Sequence, residues 1–336
     1  MSIPDKQYGF FYSKADGLNL KEDLPVGKAG PGQLLLKVDA VGLCHSDLHI
    51  IYEGLDCGDN YVMGHEIAGT VVEIGPETVG FKVGDRVACV GPNGCGICRA
   101  CRGGLDNVCQ NSFLDWFGLG YNGGYEQYLL VKRPRNLVKI PDNVTSDQAA
   151  AITDAVLTPY HAIKTAGINP TSNVLVIGAG GLGINGIQIV KAFGAKLTVL
   201  DRKEEAREVA KSLGVEAVYE SLPSDVEAGS FDVCLDFVVI QATFDLCQKY
   251  TRPKGIIIPV GLGAPNISFN LGDFALRELN ILGTFWGTSN DLEEAFELVS
   301  KGLVTPKVAS APLKELPTYI KKLKNNEYEG RVVFNP

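Results

Sequence analysis

The sequence predicts an α/β protein of two domains, one rich in small antiparallel strands and one a doubly wound parallel sheet of six strands. Three observations carry this prediction. The chain has 336 residues, and single hydrophobic cores stop growing near about 250–300 residues. Its first third holds short β-like runs between glycine turns. From Ser172 the texture changes to continuous apolar runs alternating with helix-spaced segments, the rhythm of a parallel sheet covered on both faces.

In order, the β-like runs of the first domain are Gln33 to Val38, Glu66 to Ile74, Val83 to Val90 and Tyr125 to Val131. In the second domain, Val174 to Ile177 reads as a buried strand that passes through a glycine-rich turn into the helix Ile184 to Phe193. Strands follow at Leu197 to Leu200, Ala217 to Tyr219, Phe231 to Leu235, Ile256 to Val260 and Leu279 to Phe285, with helices at Lys203 to Leu213 and Gln241 to Tyr250. The third crossover, Glu220 to Ser230, reads as a short loop. A helix over Asn290 to Lys301 and a β-like tail ending at Arg331 to Phe334 return to the first domain. The expected bounds are therefore 1–154 with 288–336 for one domain and 155–287 for the other, with no internal repeat.

Composition narrows the function classes. With 45% hydrophobic and 21% charged residues, the chain reads as an ordinary globular protein. Its formal net charge of -8 opposes binding to a phosphate backbone, so no nucleic-acid partner is expected. Met1 to Phe10 lacks a basic stretch followed by an apolar run, and nowhere do about 18 uncharged apolar residues stand together. A cytoplasmic protein with no membrane partner is expected. The nine cysteines are an odd number, and four crowd between Cys95 and Cys109, which suits metal binding in a reducing compartment.

Gly178-Ala-Gly180-Gly181-Leu182-Gly183 follows a predicted strand and opens a predicted helix, the context that a dinucleotide-binding turn requires. The first glycine permits the tight turn, the second lets a pyrophosphate approach the backbone, and the third lets helix pack on strand. The helix N-terminus offers unpaired N–H groups to the phosphates. Asp201, 18 residues after Gly183, ends the next strand and can accept hydrogen bonds from the adenosine ribose. A carboxylate there repels the extra phosphate of NADP, so NAD(H) is the expected cofactor. Asp201 also reads as a helix cap, and Arg202 and Lys203 beside it soften the discrimination.

Cys95-x2-Cys98-x2-Cys101-x7-Cys109 supplies four thiolates within a lobe of about 92–112, with glycines that let the chain curl. Four cysteines hold zinc in a closed tetrahedron, so this reads as a structural site. The same ligands suit an iron–sulfur cluster, and chance surface thiols are the bland alternative.

Cys44-His45-Ser46-Asp47, Gly64-His65-Glu66, the four-cysteine lobe and the glycine fingerprint stand in the order found in zinc-containing medium-chain alcohol dehydrogenases. The chain resembles that family over essentially its whole length. The stretches Val38 to Asp47 and Glu329 to Pro336 resemble yeast NADH-dependent carbonyl reductases and secondary alcohol dehydrogenases. The resemblance implies a GroES-like catalytic domain plus a Rossmann domain, and two zinc ions per chain, one catalytic and one structural. It implies Cys44 and His65 as catalytic-zinc ligands. The family's third ligand is usually a second cysteine, and the matching segment here has none, so the aligned Asp154 is the expected ligand. Glu66 is the competing carboxylate, and a helix cap is the plain structural alternative for Asp154.

By the same resemblance His45 approaches the coenzyme pyrophosphate, Asp47 orients His65, Ser46 touches the zinc-bound oxygen and His49 finishes a proton path to solvent. Thr158 and Leu182 match positions near the nicotinamide, Gly261 and Leu262 meet its carboxamide, and Arg331 matches a position near the pyrophosphate. For Arg331 a surface salt bridge is the alternative. The fourth histidine, His161, reads as structural. Zinc is expected to polarise a ketone or aldehyde oxygen while nicotinamide transfers hydride.

Leu55, Pro92, Trp116, Phe117, Leu119, Leu262 and Trp286 are expected pocket walls, which favours hydrophobic ketones, aldehydes and their alcohols. A polyol dehydrogenase of the sorbitol type and a zinc-free quinone reductase-like nucleotide-binding protein are the competing readings. The apolar last strand, Leu279 to Phe285, predicts a homodimer.

Overall fold

The computed structural model describes residues 3–113, 115–325, 327 and 330–336. Glu329, which opens the terminal stretch quoted above, and Met1 of the amino-terminal segment lie outside the described residues. The chain divides into two compact units, Met1–Asp154 with Trp286–Ser300 and Pro306–Pro336, and Ala155–Phe285 with Lys301–Thr305. Trp286 thus falls in the first unit and Lys301–Thr305 in the second, whereas the sequence had suggested a single crossing near 287.

The first unit is built on a seven-stranded sheet running Leu137–Lys139, Arg86–Cys89, Glu66–Ile74, Leu34–Gly42, Arg331–Asn335, Val308–Pro312, with Tyr128–Val131 also paired to Leu34–Gly42. Leu34, Leu35 and Leu36 are fully buried because that strand is covered along most of its length. A hairpin of Lys6–Ser13 and Gly17–Pro25, joined by Tyr61–Val62, forms a separate sheet that the sequence reading did not name. Its turn depends on Gly17 at φ +74°, where a side chain would be strained.

The helix Ser146–Ala151 starts on a capping box: Thr145 Oγ1 accepts from the Gln148 amide at 3.2 Å, and Gln148 Oε1 accepts from the Thr145 amide at 3.1 Å. Such a cap contributes about 1 kcal/mol. The helix continues as a π-turn, Ile152–Val156, and then as Leu157–Thr165. Asp154 sits inside this π-turn, so the helix-cap alternative for it is excluded.

The second unit is a parallel six-stranded sheet in the order Ala217–Tyr219, Lys196–Leu200, Asn173–Ile177, Phe231–Asp236, Thr251–Pro259, Asn280–Ile281. Leu175, Cys234, Cys247 and Ile257 form its fully buried centre, with Phe231 and Phe244 packed beside them. The helices Gly183–Ala192, Glu204–Ser212 and Gln241–Tyr250 fall where the apolar spacing put them, and Glu220 to Ser230 is loop. The last strand is shorter than the predicted Leu279 to Phe285. Leu282 still donates to the Ile257 carbonyl at 3.0 Å, but the next rung needs an amide N–H at residue 259, and Pro259 has none. Among the described residues, no helix is long and apolar enough to cross a membrane.

Candidate active site

The strand Leu34–Gly42 delivers the chain to Cys44, which caps the helix His45–Tyr52. Asp47, in the first turn, folds back so that its Oδ2 accepts from the Cys44 amide at 3.0 Å and from the Tyr125 hydroxyl at 3.1 Å. Glu66 pairs with Gly42 across the sheet, and a Cβ at residue 42 would stand 1.9 Å from Glu66 Oε2. Only glycine leaves room for that carboxylate.

Cys44, His65, Glu66 and Asp154 are all buried, and each offers one ligand atom within 4.8 Å of the others. Cys44 Sγ lies 3.3 Å from Asp154 Oδ2 and 3.6 Å from Ser46 Oγ. His65 Nδ1 faces Asp47 Oδ1 at 3.6 Å, too far for a hydrogen bond. His65 Nδ1, Asp47 Oδ1 and Glu66 Oε2 are buried without a hydrogen-bond partner. Two carboxylates, Glu66 and Asp154, and the Cys44 thiol are thus gathered against the Arg331 guanidinium, while Asp47 faces His65. Burial pushes the Glu66 carboxyl up, against the pull of Arg331. Desolvating an uncompensated carboxylate costs several kcal/mol. A divalent cation fits this set of sulfur, nitrogen and oxygen donors, because it would answer both the excess charge and the orphaned atoms.

Arg331 is buried, with Nη2 2.9 Å from Asp154 Oδ2 and 3.1 Å from Glu66 Oε1. The surface salt bridge considered for it is therefore replaced by a buried one. The expected pyrophosphate contact is a separate role; here Nη2 lies on the two carboxylates and Nη1 donates to the Leu43 carbonyl at 3.4 Å.

Cys95, Cys98, Cys101 and Cys109 likewise converge within 4.8 Å. Backbone N–H groups already point at the sulfurs, from Cys101 to Cys98 at 3.4 Å and from Cys95 to Cys109 at 3.3 Å. The Cys101 amide holds the Cys98 thiol below its ordinary range. Burial raises Cys109, yet hydrogen bonds, including those from the Cys95 and Asn111 amides, outweigh it and bring that thiol to about 6. Burial pushes Cys101 up to about 12, so binding a metal there means expelling its proton.

In the second unit the three fingerprint glycines divide their work. Gly178 has φ +90°. A Cβ on Gly180 would meet nothing within 4 Å, whereas one on Gly183 would stand 1.9 Å from the Gly178 carbonyl oxygen. Asp201 accepts from the Ala179 amide at 2.7 Å and from the Lys203 amide at 2.8 Å, while Arg202 is exposed. Sequence reasoning missed Asp236, which takes the Val238 and Val239 amides at 2.9 Å each and the Thr243 hydroxyl at 2.7 Å. That clasp holds Val239 at φ +58°, a strained value for a β-branched residue. The available signal was an acidic residue closing an apolar run, as at Asp201.

Comparison with known proteins decides the family. The profile of the alcohol dehydrogenase GroES-like domain matches residues 30–142, and that of the zinc-binding dehydrogenases matches residues 181–301. Alcohol dehydrogenase 1 of Emericella nidulans is 33% identical over 354 residues, covering 99% of each chain. An NAD-dependent alcohol dehydrogenase of Sulfurisphaera tokodaii is 32% identical over 335 residues, covering 94% of this chain and 96% of its own. The chain belongs to the zinc-containing alcohol dehydrogenase family. A solved member, acetophenone reductase from Geotrichum candidum in complex with NAD, superposes with a TM-score of 0.93 at 45% identity, covering 100% of this chain and 99% of that one.

The remaining positions that resemblance to the alcohol dehydrogenases singled out are distributed as follows. His45 is exposed, Ser46 half-buried, and His49 Nδ1 lies 2.6 Å from Glu53 Oε2. Thr158 is buried in the second unit, where Gly181, Leu182 and Gly261 are half-buried. Of the expected pocket walls in the first unit, Pro92, Leu119 and Trp286 are buried, Trp116 half-buried and Leu55 45% exposed. Phe117 is fully buried edge-on to Tyr121, a core position. Leu262, in the second unit, is 68% exposed.

Proposed function

We propose that this chain interconverts ketones or aldehydes with alcohols using NAD(H) and zinc, favouring hydrophobic carbonyl substrates. One observation carries the reading: the buried convergence of Cys44, His65 and Asp154, with Glu66 beside them. Cys44, His65 and Asp154 are the catalytic-zinc ligands in this reading, and the four-cysteine cluster holds a second, structural zinc. A thiolate and a carboxylate formally neutralise Zn²⁺, and a carboxylate in place of a second thiolate leaves a harder site. When bound, zinc supplies Lewis acidity toward a carbonyl oxygen, and the dinucleotide supplies or takes up hydride.

The chain's own residues do the rest. Asp47, locked by the Cys44 amide and Tyr125, presents a negative charge to His65 and favours its orientation. Ser46 stands beside Cys44, suited to a hydrogen bond with the substrate oxygen, and the solvent-touching His49 exchanges the proton that hydride transfer demands. The glycine turn is suited to receive the pyrophosphate, and Asp201 selects NAD over NADP. Pro92 and Leu119 carry no hydrogen-bonding side-chain group and the Trp286 indole N–H is given to the Thr153 carbonyl, which supports ketones over polyols. The acetophenone substrate of the Geotrichum protein agrees with that preference.

Four thiols set for a metal suit a reducing cytoplasm. The edge strand Asn280–Ile281, flanked by exposed Leu276 and Phe285, supports a homodimer through this edge. The test is NADH oxidation with acetophenone, octanone and fructose, before and after removal of zinc by a chelator. Zinc-dependent turnover of the two apolar ketones supports the proposal. Turnover of fructose alone would favour the polyol reading, and no turnover by zinc-replete protein would sink both.

A further inference from the structure

Trp286 makes three contacts that no substrate-wall role requires. Its indole N–H donates to the Thr153 carbonyl at 2.8 Å, inside the π-turn Ile152–Val156 and one residue before Asp154. Its ring meets the His65 imidazole edge-on, with centroids 5.4 Å apart and planes at 85°. Its far edge fills the space above Gly91, where a Cβ would stand 1.9 Å from Cζ2. The backbone of Trp286 is itself held at φ +51°, a left-handed conformation that a bulky residue adopts only when its surroundings impose it. Strain of this kind, and π-turns within helices, concentrate at functional sites.

Each contact acts on a different part of the cluster. An α-helix continued through residues 152–156 would turn Asp154 to a different angle about the helix axis, so the π-turn decides where that carboxylate points. The indole N–H anchors this turn from outside the helix, while the same ring limits rotation of His65. Gly91 sets how deeply the ring can seat.

We propose that Trp286 is a positioning residue for the metal site: through the Thr153 carbonyl and the His65 ring it holds Asp154 and His65 in register with Cys44. The inference rests on Asp154 and His65 being metal ligands, as proposed above. Residues that orient ligands from outside the coordination sphere typically change metal affinity by about 10- to 100-fold when altered.

Trp286→Phe keeps a ring against His65 and Gly91 but deletes the donor. In the zinc-loaded protein it should release one zinc to dipicolinate about 10- to 100-fold more readily than wild type while keeping the four-cysteine zinc. Cobalt-exchanged Trp286→Phe should show shifted ligand-field bands, a change that loss of packing alone would not produce. The four-cysteine cluster contributes equally to both proteins, so their difference spectrum reports the Asp154 site. Should Trp286→Phe not fold, ¹⁵N-labelled wild type still decides, because only two tryptophans are present and the Trp286 indole signal should move when the chelatable zinc is withdrawn. Unchanged bands and zinc release, or an indole signal indifferent to zinc, would overturn the inference. Asp154→Ala separates the two layers: loss of zinc there with a silent Trp286→Phe defeats only the positioning role, whereas zinc retained in Asp154→Ala defeats the ligand assignment beneath it.

Discussion

The Asp201 carboxylate accepts a hydrogen bond from the Ala179 amide at 2.7 Å, joining the end of one parallel strand to the glycine turn that follows its neighbour. The residue proposed to select the ribose therefore also shapes the turn proposed to receive the pyrophosphate. Hydrogen bonds to charged groups contribute about 1.5–3 kcal/mol. Asp201→Gly should accordingly raise the KM for NADH about tenfold or more and narrow its advantage over NADPH. Steady-state kinetics with both cofactors check this, and an unchanged KM ratio would remove Asp201 from cofactor selection.

Gly180 and Gly183 should respond oppositely to one methyl group. A Cβ at 180 enters open space, so Gly180→Ala should fold with near wild-type stability yet bind NADH more weakly. A Cβ at 183 meets the Gly178 carbonyl oxygen at 1.9 Å, so Gly183→Ala should lose about 1–3 kcal/mol of stability from overpacking. Thermal unfolding and fluorescence titration with NADH distinguish the two. Equal effects of both variants on stability would contradict this division of labour.

Cys98→Ser should destabilise far more than it alters chemistry. The cluster is a group separate from Cys44, His65 and Asp154, and four thiolates around the proposed structural zinc would leave no ligand position for substrate. Loss of a structural metal belongs to the severe class of substitutions, about 3 kcal/mol or more. The unfolding midpoint should drop while the ranking of ketone substrates is kept. A changed ranking in folded Cys98→Ser protein would argue for a catalytic part.

Much of this was legible in the chain because it depended on local pattern. The glycine fingerprint, the apolar strands and the helices Gly183–Ala192 and Gln241–Tyr250 follow from spacing and burial within a short window. Cys44, His65 and Asp154 could be named through likeness to known dehydrogenases, but spacing alone could not bring residues 44 and 154 together. The Arg331 bridge to Glu66 and Asp154 and the Trp286 contacts were invisible for the same reason: each joins groups distant in sequence, whereas the Asp236 clasp is local and lay within reach of the pattern. The predicted strand Leu279 to Phe285 overran because apolar character marks a buried segment without saying where its neighbour, at Pro259, runs out of donors.

Glu126 supplies a test by pH. It is buried with the Gln7 amide on its Oε2 at 2.9 Å, and burial raises its carboxyl well above the ordinary 4.5. A carboxyl whose folded pKa is raised holds its proton in the native state. Its contribution to stability is complete below the unfolded pKa and is lost as pH climbs toward the folded one. Glu126 should therefore withdraw stability from wild type as pH rises above about 4.5, and Glu126→Gln should escape that loss, so that the variant's relative stability grows with rising pH. Denaturant unfolding as pH is raised checks the sign. Parallel pH profiles would show that Glu126 does not titrate as its burial requires.

The proposed catalytic metal site has an oxygen ligand where a sulfur ligand is more usual, and zinc analysis of wild type beside Asp154→Ala tests it most directly. Wild type should carry two zinc ions per chain, one for each cluster. Asp154→Ala should carry one and oxidise NADH with acetophenone more than about 100-fold more slowly, since even partners outside the coordination sphere cost 10- to 100-fold. Two zinc ions and full activity in Asp154→Ala would contradict it.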